Sequence, residues 1–425
     1  MMYQDRKECF ERWNAVVAAQ GDRTAVTDAA TGEAWSFSQL AALGRDAPDV
    51  PPVLLTGATG LTFLIDVVRA WRCGSVLVPD DAGGLAVPSP AVLPEQTCHL
   101  KVTSGSTGTR RMVAFTAEQL AADVRQIVRT MGLHAEQPNL GVISMAHSYG
   151  FSSLVLPLLW HGIPLRLAGS PLPQAIRAAL TGTPPVTLPA VPAMWRAWHQ
   201  AGVDFSGVRT AISAGAPLPL SLEQEVHTHC GLKIHNFYGC SECGGIAYDA
   251  TTAPRTAAGA AGTAMDGVRL SQRGERLVVH SAAAGLGCVG EEPWEPGTFE
   301  TGDLAHMDAA GQVHLAGRVG ETISVAGYKV APAMVEEVLL RVPGVRHCVV
   351  FGVPSTDVFR QEEVVACIHH ADSLTLDDIK PALAQLPAAC IPRHWQTCPD
   401  LAPDSRGKLS RAHWREWWLS QVRRR

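Results

Sequence analysis

The sequence predicts an α/β protein. We expect a large domain of helix-covered, mostly parallel sheets with a β-rich lobe, followed by a small α+β domain. Three observations carry that reading. From about Pro52 to Gly239, short apolar runs alternate with segments of helical periodicity. The runs read as strands buried on both faces between helices, the pattern of a parallel sheet. The chain has 425 residues, more than the roughly 250–300 that one hydrophobic core serves, so at least two domains are required.

In chain order, PPVLLTG is a strand, and GLTFLIDVVRAW is a helix with Leu61, Leu64, Ile65, Val68 and Trp71 on one stripe. GSVLVP and HLKVTSG are strands. A helix over 117–131 follows, with Thr116 and Gln119 spaced as a capping box before Leu120, Val124, Ile127, Val128 and Met131. The alternation continues with LGVISM and FSSLVLPLLW, PLRLAG and PQAIRAAL, PVTLPA and PAMWRAWHQ, then VRTAISAG, a helix near 221–230, and KIHNFYG. After Asp249 the texture changes: TTAPRTAAGAAGTAMDG is loop-like, and VRL, ERLVVHS and QVHLAG are short strands of a β-rich lobe. The last hundred residues or so read β-α-β-β-α, enough for a small domain, with a helix starting at Pro332 where a missing N–H costs nothing.

Hydrophobic residues make up 46% of the chain and charged residues 18%, a soluble globular composition. The net charge of −5 does not call for nucleic acid as a partner. Eleven cysteines without a repeating framework suggest reduced thiols and a cytoplasmic protein. The start MMYQDRKECFERW carries charges where a signal peptide needs an apolar core, and no uncharged apolar run approaches ~20 residues, so membrane contact is not expected.

Two stretches invite chemistry. VTSGSTGTRRMVAF (102–115) follows a strand and packs Gly, Ser and Thr into a turn whose N–H groups and hydroxyls can cradle phosphate. A plain flexible turn is the competing reading, and the Walker spacing is absent. NFYGCSECGG (236–245) holds Cys240 and Cys243 at C-x-x-C spacing, which zinc and redox sites also use, but no second cysteine pair follows at zinc-ribbon spacing.

TSGSTGTRR resembles the phosphate loop of the adenylate-forming superfamily: acyl-CoA synthetases, luciferases and the adenylation domains of peptide synthetases. Six further segments resemble that family in its order: MAHSYGF, ISAGAPLP, NFYGCSE, GERLVV with FETGD, GRVGETISVAGYKVAP and PDSRGKLSR. The resemblance implies an enzyme that uses ATP and Mg²⁺ to convert a carboxylic acid to an acyl-adenylate and passes the acyl group to a thiol. The thiol would belong to coenzyme A or to the phosphopantetheine of a carrier protein. A carboxylate approaching a phosphate needs positive charge and fixed donors, not a covalent nucleophile.

Residue by residue, the resemblance implies that Thr103, Ser104, Gly105, Ser106, Thr107 and Gly108 hold phosphates, with Arg111 replacing a lysine. Gly215, Ala216 and Pro217 lie beside adenine. Asn236, Tyr238, Gly239 and Ser241 line the nucleotide, Tyr238 stacking on the base. Asp303 accepts from ribose and Arg318 assists. Glu242, with Thr107, holds the metal. Lys408 reaches the forming acyl phosphate. A 1–319 adenylation domain, shortened at its N-terminal side, is then joined at a hinge near Gly320 to a mobile 320–425 lid, with Gly327 lining the thiol channel.

His147, Ser148, Tyr149, Ala214, Cys240 and Gly244 would line the acyl pocket, a hydrogen-bonded structural role for His147 staying open. Ser148 stands where amino-acid-activating relatives carry Asp. A buried ammonium would lack its counter-charge, so an aryl or short-to-medium acyl acid is expected. Ser324 and Met334 also depart from the family pattern. Trp414, Trp417 and Trp418 in the last helix are expected to dock on the small domain rather than on a membrane, and its arginines to be available to an acidic carrier. The reading from a different class is a non-catalytic nucleotide-binding module.

Overall fold

In a computed structural model of the chain, residues 7–81, 83–104, 110–182, 184–357, 360–403 and 409–422 are described. The architecture is α/β, with a 13-stranded and a 5-stranded sheet in the large domain and a 2-stranded and a 3-stranded sheet in the small one. At the centre of the longest sheet, six neighbouring strands run parallel: Thr24–Asp28, Leu165–Leu167, Asn139–Gly141, Val186–Ala190, Val208–Ser213 and Ile234–Cys240. Their apolar faces are covered by helices such as Pro173–Leu180, Pro192–Gln200 and Leu220–Cys230, around a core holding Trp195, Trp198 and Leu188.

The same sheet then continues antiparallel through Gly244–Tyr248, Ala260–Ala264, Gln312–Arg318, Thr298–Met307, Arg276–Ser281 and Val268–Arg273. The expected parallel sheet and the expected β-rich lobe are therefore parts of one continuous sheet. After Cys230 there is no helix until Pro332 among the described residues, which accords with antiparallel pairing in this part of the sheet, since parallel crossovers usually run through a helix. Ala260–Ala264 lies in the stretch expected to be loop. Its small residues allow it to press against the preceding strand: a Cβ on Gly262, at φ +95°, would sit 2.1 Å from the Tyr248 carbonyl carbon.

In the second sheet Val53–Thr56, Val76–Pro79 and His99–Ser104 are parallel, and Arg110–Phe115 returns antiparallel to the last. The helix Ala117–Met131 starts at the expected capping box, where the Thr116 hydroxyl accepts from the Gln119 N–H at 3.2 Å. The helix expected over FSSLVLPLLW opens with a wide π-turn at Phe151–Val155. Pro157 has no N–H for the carbonyl four residues earlier, and Asn139 Nδ2 donates to that Ser153 carbonyl at 3.2 Å instead.

The small domain opens with the hairpin Ile323–Val325/Tyr328–Val330 and the helix Pro332–Leu340. Strands Val345–Pro354 and Glu362–His370 pair antiparallel, and His394–Thr397 joins parallel. Alternate residues of Val345–Pro354 face two cores: Cys348 and Val350 meet Val335 and Leu339, while Val349, Phe351 and Val353 meet Trp414. The terminal helix Arg411–Val422 thus buries Trp414 on the sheet, with Trp417 and Trp418 packed beside it. No helix among the described residues is long and apolar enough to cross a membrane.

Candidate active site

Strands Val208–Ser213 and Ile234–Cys240 lie side by side, with Ser213 opposite Asn236, and the residues just past their carboxyl ends gather the expected nucleotide segments. Carboxyl ends of parallel strands are where open α/β sheets bind ligands. Gly215, at φ +82°, turns the first strand into an exposed loop with Ala216 and Pro217, while Ala214 stays buried. The far end of this loop is tethered by Arg255, whose Nη2 donates to the Leu218 carbonyl at 2.7 Å while its Nε meets the buried Glu223 at 2.7 Å.

On the second strand Tyr238 donates its hydroxyl to Asp303 Oδ2 at 2.6 Å, and Arg318 Nε lies 3.2 Å from Oδ1 of the same carboxylate. Asp303 and Arg318 are direct cross-strand partners. Burial, then the Asp303 charge, push the Tyr238 phenol well above its ordinary value. Burial works against the Arg318 charge, but Asp303, Glu321 and Glu242 outweigh it and raise the guanidinium. Asn236 is buried and its amide donates to the Ala260 carbonyl at 3.2 Å, so it braces the sheet.

The turn after Tyr238 is tight. A Cβ on Gly239 would meet the Gly244 carbonyl oxygen at 2.6 Å, and Gly244 sits at φ +73°. Glu242, at the crest, is half-buried, and its backbone carbonyl accepts from the Gly285 N–H at 2.9 Å. Its carboxylate has no side-chain partner among the described residues, and its charge reaches both Arg111 and Arg318. No group of three His, Cys, Asp or Glu that could hold a metal occurs among the described residues. A lone oxygen donor near the expected phosphate loop fits Mg²⁺, which takes one or two carboxylates and completes its shell with phosphate and water. Cys240 and Cys243 place their sulfurs 3.3 Å apart as free thiols; the side-chain hydrogen bond with Cys243, then burial, raise the Cys240 pKa well above its ordinary value, so it stays a protonated thiol.

Ser241 accepts from the Ser148 hydroxyl at 2.9 Å, which joins the expected nucleotide turn to the expected acyl segment. Tyr149 packs against Phe237 with ring centroids 5.9 Å apart, in the apolar cluster that includes Ala214 and Cys243. Its hydroxyl is buried with no hydrogen-bond partner among the described residues, and burial raises its pKa strongly. His147 Nε2 lies 2.9 Å from Asp81 Oδ2, which also accepts from the Ser144 hydroxyl at 3.2 Å. The sequence reading missed Asp81.

Thr103 and Ser104 end the strand His99–Ser104 opposite Arg111 and Arg110. Gly105, Ser106, Thr107, Gly108 and Lys408 lie outside the described residues. Arg111 is half-exposed and pairs with Glu291 across the surface, a weak contact that a phosphate can displace. Gly320 and Gly327, the expected hinge and thiol-channel glycines, lie just after the strand Gln312–Arg318 and in the hairpin that follows it. Both have positive φ, +81° and +85°, and Gly327 with Ala326 makes the two-residue turn of the small-domain hairpin. Next to it Lys329 donates to Ser324 at 2.6 Å, so the position that departs from the family pattern has a lysine as its cross-strand neighbour.

Beneath these segments lies a buried polar cluster that the sequence reading also missed: Lys101, Asp123 and Ser152. Its signal was present, since Lys101 interrupts an apolar strand and Asp123 falls three residues after Leu120 on the apolar stripe of its helix.

The sequence model of the family described as "AMP-binding enzyme" matches residues 53–285. Feruloyl-CoA synthase of Amycolatopsis sp is 28% identical over 317 residues, a match that takes in 68% of this chain and 64% of that protein. The probable 2-succinylbenzoate–CoA ligase of Mycobacterium tuberculosis is 28% identical over 331 residues, 73% of this chain and 82% of that one. Among solved structures, ATP-bound MatB from Rhodopseudomonas palustris superposes with a TM-score of 0.82 at 18% identity, over 96% of this chain and 99% of that one.

Proposed function

The chain belongs to the AMP-binding enzyme family, and on that premise we propose that it is an AMP-forming acid–thiol ligase. In the first half-reaction a carboxylate oxygen attacks the α-phosphorus of ATP; a P–O bond forms to the acid and the bond to pyrophosphate breaks. In the second, a thiol sulfur attacks the acyl carbonyl, the C–S bond forms, the thiol proton leaves, and AMP departs with the former carboxylate oxygen. The observation that carries this reading is the Tyr238–Asp303–Arg318 cluster, whose guanidinium also feels the charge of Glu242.

In this reading Asp303 accepts from the ribose hydroxyls and is held in place for them by Tyr238 and Arg318. The Gly215 loop borders the base, and Thr103 and Ser104 lead into the phosphate loop. Glu242, with Thr107, would hold Mg²⁺, which neutralises charge on the phosphates when bound. Arg111 and Arg318 offer positive charge on either side. Lys408 approaches the reacting carboxylate in the first half-reaction, and a turn about Gly320 withdraws it in the second.

Tyr149, Ala214, Cys240 and Gly244, with Ser148 and His147, make a pocket of aromatic and small side chains suited to an aryl or short-to-medium acyl acid. Relatives named for feruloyl and 2-succinylbenzoyl thioesters support that class. Coenzyme A is the acceptor we favour for the same reason. Acid-dependent pyrophosphate–ATP exchange over a panel of aryl and aliphatic acids tests the first half-reaction. Coenzyme A against a phosphopantetheinylated carrier tests the second. Lys408→Ala should lower exchange by about 10²-fold or more; exchange with no acid at all, or no loss in that variant, overturns the reading.

A further inference from the structure

We infer that Lys101, Asp123 and Ser152 form a positioning network that holds the Glu242 turn in register with the strand entering the phosphate loop. The inference rests on the ligase reading for its consequence but on geometry for its existence. Lys101 is on the strand His99–Ser104, two residues before Thr103. Its ammonium and the Asp123 carboxylate are 3.1 Å apart, each side chain only 1% exposed. Ser152, in the π-turn, receives a hydrogen bond from Lys101 Nζ at 3.2 Å and donates its own to Asp123 Oδ2 at 2.6 Å. The remaining oxygen of Asp123, Oδ1, accepts from the Gly245 N–H at 3.2 Å. Lys101 Nζ also lies 4.6 Å from the centroid of the Phe115 ring.

Every donor on this carboxylate comes from a different segment of the site. A buried carboxylate with three fixed donors cannot turn without leaving one unpaired in a dry interior, so the segments move together or not at all. Contact with the turn is intimate: a Cβ on Gly244 would lie 2.2 Å from Asp123 Oδ1. Glu242 is thereby pinned from both sides, through Gly245 to Asp123 and through Ser241 to Ser148, the latter four residues before Ser152. A stabilising ion pair alone needs no link to a backbone amide three residues from Glu242.

The test separates positioning from stability by replacing the pair with apolar residues of similar size, Lys101→Met with Asp123→Leu, since buried ion pairs can often be exchanged for packed apolar groups without loss of fold. Thermal stability, amide exchange of the 239–248 peptide and Mg²⁺-dependent ATP binding are measured on the full chain. We expect near-native melting, faster exchange confined to 239–248, and ATP binding weakened about tenfold at limiting Mg²⁺, the scale seen when partners behind a metal ligand are removed. KM for the acid should stay put while KM for Mg·ATP rises. A folded double variant with native exchange and native ATP affinity overturns the inference. Should the double variant not fold, Ser152→Ala keeps the charges paired and is judged on the same readouts. Wild-type protein that binds no ATP would sink the ligase reading instead, and the amide-exchange comparison would still decide whether the network holds the turn.

Discussion

Asp303 meets its two protein partners before any ligand arrives, and this sets what single-residue changes should do. Tyr238→Phe keeps the aromatic ring but deletes the 2.6 Å hydrogen bond to Asp303. Losing a bond to a charged group costs on the order of 1.5–3 kcal/mol, so KM for ATP should rise roughly tenfold or more with the acid KM unchanged. Steady-state kinetics with ATP as the varied substrate checks this. Histidines set a pH limit on the fold. Burial, then the Lys101 charge, hold His99 well below its ordinary pKa; burial, then His369, Arg196 and Arg346, hold His347 at about 4. Both stay neutral in the fold but take up protons near 6.5 when unfolded. Their contribution is therefore complete above that value and declines as pH falls toward the folded pKa. His99 stacks on Phe151 with centroids 4.1 Å apart and leaves its Nδ1 without a partner among the described residues. His99→Phe should accordingly narrow the drop in melting temperature between neutral pH and about pH 5. An unchanged drop would assign the acid sensitivity to other groups.

At the scale of elements, backbone geometry decides which segments can do their work. Gly320 sits at φ +81° in open surroundings, so Gly320→Ala meets no clash but pays a left-handed penalty of about 1–2 kcal/mol. We expect a changed ratio of the two half-reactions, measured as adenylate formation against thioester formation, with the large domain melting unchanged. Elements with strong periodicity were legible in advance: the Thr116 capping box and the stripe of the helix Ala117–Met131 appear as read. The strand Ala260–Ala264 was not, because alanine and glycine carry no periodic signal, and only the neighbouring Tyr248 backbone makes their smallness meaningful. Nor was the π-turn at Phe151–Val155. Pro157 announced a broken hydrogen bond, yet the donor that replaces it, Asn139, comes from another strand.

For the whole molecule, the small domain carries its own core, closed on one face by the terminal helix. Trp414→Ala removes a buried aromatic from that face and should destabilise the small domain by about 3–5 kcal/mol. Scanning calorimetry should show the transition of the small domain moving down while that of the large domain stays. A single transition shifted as a whole would mean the two domains unfold as one. The membrane-surface alternative for the tryptophans gives way to docking, because Trp414 lies against Val349, Phe351 and Val353. Arg411 reinforces the docking by bridging Glu336 and Glu321, so part of the helix's positive charge is already committed within the domain.

By itself the sequence determined the α/β class, the order of most elements and the family, because periodic burial and collinear motifs are local properties of the chain. Only the tertiary structure decided that the β-rich lobe extends the central sheet, that Asp81 stands beside His147, and that Lys101, Asp123 and Ser152 meet beneath the Glu242 turn. A buried charge can be recognised in sequence as needing a partner. Which partner it finds depends on contacts between residues far apart in the chain, and those exist only once the chain has closed on itself.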